Sequence, residues 1–415
     1  MKVLLVTLYF PPAGGGGVQR PLKFATHLPE LGIETHVLAP DEPKSIHVDE
    51  ELPPPSLAWV HRVAFIGPRG RTPAEEVHGQ MGLELYRRRA LLLGRKLLLP
   101  DESVSYNLTA IPAAIRIVRE EGIDVVMTTS PPPSIHFIGA AVKRATGARW
   151  VADLRDSIVA NPQRSSTSVG DKIREQGLGA VASLVARSAD AVVTVSEPIA
   201  EEVRARGARG PVVTISDGSD FEDFAGLDYH RGERFRITHA GSFFGKRDPR
   251  PFLTALSRVD GVTARFVGDF RSADREWSAG IIDRVELIPY APRRKALELQ
   301  RDSEALLLLI PEAGGRGRGI LSGKVFEYLA AERPILAVVP PDGAAAALLR
   351  ETGTGVVVAP DDIDGIAREL AAMRDRWREG ALEPTTLAPE WRTTLSRRSR
   401  VEELAELLHT LERPA

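Results

Sequence analysis

Four consecutive glycines, Gly14 to Gly17, follow the apolar run "LLVTLYFPP" and precede a stretch that reads as a helix from near Val18. Glycine loses more freedom on folding than any other residue, so the run predicts something that must approach the backbone closely. Bare amides between a strand end and a helix start suit an oxyanion or a phosphate. Two later stretches share that chemistry. Gly241-Ser242-Phe243-Phe244-Gly245-Lys246-Arg247 follows the strand-like "FRITHA". Its Lys246 and Arg247 can grip a phosphate, Arg bidentately, or stand as solvated cations at a helix start, where the macrodipole opposes them. In "PEAGGRGRGILSGKVFEYLAAERPILAVVPP", Pro311 to Pro341, a glycine loop with Arg316 and Arg318 leads into a helix over Lys324–Glu332. Glu327 lies one helical turn from Lys324, so the two share a face. Such a carboxylate can accept both hydroxyls of a ribose while loop amides and cations take phosphates. The alternative is a surface ion pair, worth little.

Positioning these stretches requires strands that end in loops at a common edge. Short β-branched runs alternate with helical patterns along the chain, which predicts parallel sheets built from βαβ units. The expected strands are Val3–Leu8, Thr35–Ala39, Asp124–Thr129, Arg149–Asp153, Ala191–Val195 and Val212–Ile215, with helices over Leu108–Glu121 and Ile135–Thr146. After "SDGSDFEDFAGLDYHRGE" a second series follows: "FRITHAG", "TARFVGD", "RVELIPY", "EALLLLIP", "PILAVVP" and "GVVVAP". The architecture predicted is α/β, with two doubly wound domains over 1–215 and 216–388. A helix over 389–415, after Pro389, is expected to pack back on the first domain.

The chain's 415 residues, 43% hydrophobic and 27% charged, suit two globular domains. Lys plus Arg number 54 against 56 for Asp plus Glu, so no global field draws nucleic acid, and none is expected as a partner. There is no cysteine, which excludes disulfides, thiolate metal sites and cysteine nucleophiles and points to a reducing, cytoplasmic setting. The N-terminal apolar run stops at Pro11-Pro12 without a small-residue cleavage site, so it is not read as a signal peptide. No apolar stretch reaches the ~18 residues of a membrane span. Gln19 stands where G-x-G-x-x-G requires glycine, and G-x-x-x-x-G-K-[ST], H-E-x-x-H and G-x-S-x-G are all missing, so no metal site is predicted.

Several segments in order resemble GT-B glycosyltransferases, specifically glycosyltransferase family 4. "LYFPPAGGGGVQRPLKFATHL" is similar to that family's opening strand, glycine loop and helix, and "VVTVSEPIAEEV" with "VVTISDGSDFEDF" to the end of its first domain. "HAGSFFGKRDP" resembles its donor phosphate turn, "GKVFEYLAAERPILAVVP" its nucleotide-ribose helix, and "PYAPRRKALELQRDSEALLLLIP" the stretch between. The resemblance implies two Rossmann-like domains facing a cleft, with a nucleoside-diphosphate sugar bound mainly by the second and an acceptor by the first. It further implies transfer with retention at the anomeric carbon and no required metal or other cofactor, in polysaccharide or glycoconjugate synthesis. On this resemblance Gly15 and Gly16 approach the donor diphosphate and the reacting sugar. Arg247 falls where the family has its phosphate-binding lysine, with Lys246 beside it, and Glu327 falls on the ribose carboxylate. In "WVADLRDSIVANP", Asp156 is expected to orient the acceptor hydroxyl and Arg155 to contact a charged acceptor or donor. Two positions depart from the pattern. Gly319 replaces an acid eight residues before Glu327, and Ser242 replaces the arginine of the phosphate turn. Arg316, Arg318 and Lys324 are then expected to supply cations at the diphosphate.

Two other activities fit the same elements. One is a sugar-nucleotide epimerase of the same fold. The other is a nicotinamide-dependent dehydrogenase with Asp41 on a ribose, against which Gln19 counts. The acceptor is a sugar, a lipid-linked saccharide or a small molecule. Glu84–Glu102, "ELYRRRALLLGRKLLLPDE", mixes basic and apolar residues and reads either as a packed helix with a solvated basic face or as a peripheral contact with anionic lipid at the inner membrane face.

Overall fold

A computed structural model describes residues 1–41, 48–66, 98–161, 168–243, 247–270, 274 and 278–412. The chain forms two compact units. One contains Met1–Ala160, Ser165–Ser216 and Val401–Ala415; the other contains Asp217–Arg400.

The first unit has strands β1 (Lys2–Val6), β2 (Glu34–Pro40), β3 (Trp59–Val63), β4 (Val125–Ser130), β5 (Arg149–Leu154), β6 (Ala191–Thr194) and β7 (Val212–Thr214). They form one sheet in the order β3-β2-β1-β4-β5-β6-β7. Every neighbouring pair is parallel. Its helices are α1 (Gln19–His27), α2 (Asn107–Glu121), α3 (His136–Thr146), α4 (Val169–Ser188) and α5 (Glu197–Ala205). Strand alternation divides the core. Leu4, Val6, Val126 and Trp150 face α2 to α5, whereas Val3, Leu5, Val125 and Met127 face Phe24 of α1 and Leu28 just after it. The near-continuous apolar strands follow from this two-sided cover. The sequence pattern did not predict β3. At the sheet edge its residues are only partly covered, so "WVHRV" carries no unbroken apolar run.

The second unit has β8 (Phe235–Ala240), β9 (Val262–Val267), β10 (Val285–Ile288), β11 (Ala305–Leu309), β12 (Ile335–Val338) and β13 (Gly355–Val358), with α6 (Arg250–Ser257), α7 (Arg293–Arg301), α8 (Gly323–Ala331), α9 (Ala344–Thr352) and α10 (Ile363–Arg378). The order is β10-β9-β8-β11-β12-β13, again parallel throughout. At β8 and β11 the strand order reverses, and they pair only at Ala305↔Ile237 and Leu306↔Thr238. Beyond those pairs the two strands no longer pair, and such a switch point is where parallel sheets of this kind take ligands.

In place of the single helix predicted after Pro389 there are two, α11 (Pro389–Thr394) and α12 (Arg397–Thr410). The break coincides with pairing to the 218–220 segment: Ser219 N–H donates to Leu395 O at 2.9 Å and Arg397 N–H to Ser219 O at 3.1 Å. An uninterrupted helix would keep the Leu395 carbonyl for its own turn. Val401, Leu404 and Leu408 of α12 then join the apolar layer around β1 in the first unit.

Candidate functional site

In the second unit, β8 ends at Ala240 and the chain turns through Gly241 toward Arg247. Gly241 has φ +145°, and a Cβ there would lie 2.1 Å from Lys324 Cε and 2.6 Å from Nζ. The Lys324 side chain of α8 thus lies directly on the turn, at a backbone conformation that favours glycine. Tyr328, one turn further along α8, fixes the approach. Its buried hydroxyl accepts from Ala240 N–H at 2.9 Å and reaches Leu307 O at 3.4 Å, filling the gap where β8 and β11 separate. His239 Nδ1–H donates to the same Leu307 carbonyl at 2.8 Å.

Arg247 is buried, and its Nη1 donates to Ser242 O at 3.2 Å. Ser242 ties the turn to the next loop: its hydroxyl donates to Asp269 Oδ2 at 3.1 Å and accepts from Asp269 N–H at 3.0 Å. Lys246 lies outside the described residues. Burial and the Arg247 charge push the Lys324 ammonium down to about 8, with Glu327 acting the other way. A desolvated lysine beside a guanidinium gains much from a bound anion.

Glu327 shares the α8 face with Lys324, yet the hydrogen-bonded partner is different. Its Oε1 accepts from Arg293 Nη1 at 2.7 Å, and its Oε2 lies 3.5 Å from Gln300 Nε2. Arg293 also donates to Asp223 Oδ2, from Nη2 at 2.8 Å and from Nε at 3.3 Å. Burial tends to raise the Glu327 pKa, but Arg293 and then Arg397 outweigh it and hold the carboxyl below its usual range. It is a carboxylate at neutral pH, with one oxygen occupied and the other still able to accept. The alternative of a Lys324–Glu327 surface ion pair is not what forms: Arg293, on α7, is the ionic partner of Glu327. Sequence reading missed Arg293, Asp223 and Tyr328.

The loop between β11 and α8 is closed by Glu312, whose Oε1 accepts from Gly315 N–H at 3.1 Å. Gly319 ends this loop and Arg316 is half-buried within it. Arg318 pairs with Asp342 at 3.0 Å, both more than half exposed. An exposed pair of this kind holds its arginine weakly.

In the first unit the glycine loop is held from beneath. Arg20 of α1 is buried and meets Asp153 at the end of β5, with Nη2 2.8 Å from Oδ1 and Nε 3.1 Å away. Thr129 Oγ1 donates to Asp153 Oδ2 at 2.6 Å, and Arg20 also reaches the carbonyls of Ile215 and Ser216. Arg155 donates from Nη1 to Gly17 O and from Nε to Ser130 O at 3.0 Å, fastening the loop to β4. Asp156, next along, is exposed. Gly15 has φ +92°, a backbone that asks for glycine, while Gly16 is exposed and a Cβ there would meet nothing within 4 Å. The protein's own packing thus leaves the bareness of Gly16 unexplained. The structure brings Gly241, Ser242, Arg247, Lys324 and Glu327 together, and separately Gly15, Gly16 and Arg155. Among the described residues no group of three or more His, Cys, Asp or Glu is placed to hold a metal ion, and no helix is long and apolar enough to cross a membrane. The 84–97 part of the basic–apolar stretch lies outside the described residues.

Residues 15–218 match the family model described as glycosyl transferase 4-like domain. The whole chain has the GT-B fold, shared by solved glycosyltransferases at low identity. Sucrose-phosphate synthase of Thermosynechococcus elongatus is 15% identical, with a TM-score of 0.68 over 99% of this chain and 98% of that one. A glycosyltransferase of Rickettsia africae is 14% identical, with a TM-score of 0.64 over 100% and 99%. HepE of Anabaena, solved in complex with UDP-glucose, is 16% identical, with a TM-score of 0.62 over 99% and 100%. No curated protein sequence matches the chain.

Proposed function

We propose that this glycosyltransferase moves a sugar from a nucleoside-diphosphate sugar, with UDP the first nucleotide to test, to an acceptor hydroxyl. The reaction proceeds with retention at the anomeric carbon and without a metal ion. One observation carries the reading: the crevice edge between β8 and β11 gathers a glycine turn, Arg247, Lys324 and the half-occupied carboxylate of Glu327. That set matches, in order, a diphosphate and a ribose. As the glycosidic bond breaks, its electron pair goes to the leaving diphosphate, and cations already in place stabilise that growing charge without reorganising. Lys324 and Arg247 supply it. Gly15 and Gly16 provide bare amides, and Arg155 and Asp156 serve the acceptor, a sugar, a lipid-linked saccharide or a small molecule. The setting proposed is cytoplasmic, in the synthesis of surface polysaccharide or glycoconjugate.

HepE's UDP-glucose complex makes UDP-glucose the starting donor. The test is a transfer and hydrolysis assay across UDP- and GDP-sugars with Glu327→Ala and Arg247→Ala. Release of nucleoside diphosphate that falls in both variants supports the assignment, and undiminished turnover in both overturns it. Conversion of the donor sugar in the absence of acceptor would favour an epimerase instead.

A further inference from the structure

Arg293 is the first residue of α7, preceded by Pro292. A cation at that end of a helix faces the positive pole of the macrodipole, and its side chain is only 15% exposed. It is retained there by two carboxylates on separate elements: Glu327 of α8, and Asp223 of the turn Phe221–Phe224. The guanidinium fork divides between them. Nη1 serves Glu327 Oε1 at 2.7 Å, while Nη2 and Nε both turn to Asp223 Oδ2. A fork held from behind by one carboxylate presents a fixed N–H to the other, which a flexible ammonium cannot do. Glu327 Oε2 makes its one other described contact with Gln300 at the 3.5 Å limit. The carboxylate is therefore oriented through one oxygen and open at the other.

We propose that Arg293, braced by Asp223, is a positioning residue that aims Glu327 at the ribose hydroxyls of the donor nucleotide. The arrangement rests on the reading of Glu327 as the ribose acceptor. Asp223 fixes Arg293, Arg293 fixes the plane of the Glu327 carboxylate, and the open oxygen then meets a hydroxyl without further ordering. A purely structural clip would hold α7, α8 and the 221–224 turn together and be indifferent to what the sugar of the nucleotide carries.

The experiment is calorimetric titration of the full chain with UDP and GDP and with their 2′,3′-dideoxy counterparts. Whichever base binds the wild type is carried through Arg293→Lys, Arg293→Met, Asp223→Asn and Glu327→Gln. The wild type is expected to prefer the ribonucleotide by about tenfold or more, the scale of a hydrogen bond to a charged group. Arg293→Lys keeps the charge and loses the fork, so that preference collapses toward unity while dideoxy affinity stays at the wild-type value. Asp223→Asn moves the same way by less. If Arg293→Lys and Asp223→Asn keep the wild-type preference, or weaken both nucleotide forms equally, the positioning role is overturned. This pair decides the matter even where Arg293→Met fails to fold. Glu327→Gln separates the two levels: a wild-type ribose preference in that variant overturns the ribose assignment itself, whatever Arg293 does.

Discussion

The two units share a parallel, doubly wound architecture and end their first strands in glycine-bearing turns, but they place charge beside those turns differently. In the first unit the charges buried beneath the loop are consumed by the scaffold. Arg20 and Asp153 neutralise each other in the core, and Arg155 is bound to two backbone carbonyls. What the loop offers outward is amide backbone at Gly15 and Gly16. In the second unit the ionic groups keep unused capacity: Lys324 is crowded by Arg247 against a glycine, and Glu327 has an oxygen to spare. Charge that closes on itself builds a frame, and charge left partly unsatisfied builds a binding site.

Four measurements bear on that contrast, from the largest effect down. Asp153→Ala leaves the Arg20 guanidinium buried without its carboxylate, and breaking such a pair costs about 3–5 kcal/mol. Chemical denaturation should show that loss, and a midpoint close to wild type would mean the pair is not a frame. In the second unit, Arg247→Ala or Lys324→Met removes a charged hydrogen-bond donor worth about 1.5–3 kcal/mol to a bound anion. UDP or GDP affinity should fall about tenfold or more. If it holds steady, the spare charge is not for phosphate.

The third concerns pH. Lys324 is charged below about 8 and loses its proton above, so nucleoside diphosphate affinity should decline as pH rises through that value. The folding linkage runs the other way. The folded pKa lies below the ordinary lysine value, so this residue's destabilising contribution disappears as pH climbs from about 8 toward 10.5. Titrations across this range should show the decline in wild type and a flatter profile in Lys324→Met; matching slopes would dissociate Lys324 from the diphosphate. The smallest effects are at the glycine loop. Gly15→Ala should cost about 1 kcal/mol because its backbone is left-handed. Gly16→Ala should leave the denaturation midpoint unchanged while sugar transfer slows. Equal transfer rates for Gly16→Ala and wild type would show that nothing approaches that backbone.

Much of this molecule was readable from local pattern. The strands were marked because residues covered on both faces must be apolar, and the glycine stretches because each needs a backbone that no other residue supplies or a space that no side chain may fill. Glu327 and Lys324 could be placed on one face from helical spacing alone. Their partners could not. Arg293 is 34 residues from Glu327 and 70 from Asp223, Tyr328 is 88 from Ala240, and Arg20 is 133 from Asp153. Edge strand β3 and the break between α11 and α12 escaped for the same reason, since sheet cover and the pairing with Ser219 come from distant chain.

Local pattern marked the buried strands, several of the helices and the bare turns, because periodicity and glycine conformation are short-range properties carried by neighbouring residues. Only the tertiary structure decided which charges cancel and which stay available. That choice depends on which strand ends and helix faces meet, and an arginine reads the same in sequence whether it closes a buried pair or orients a carboxylate.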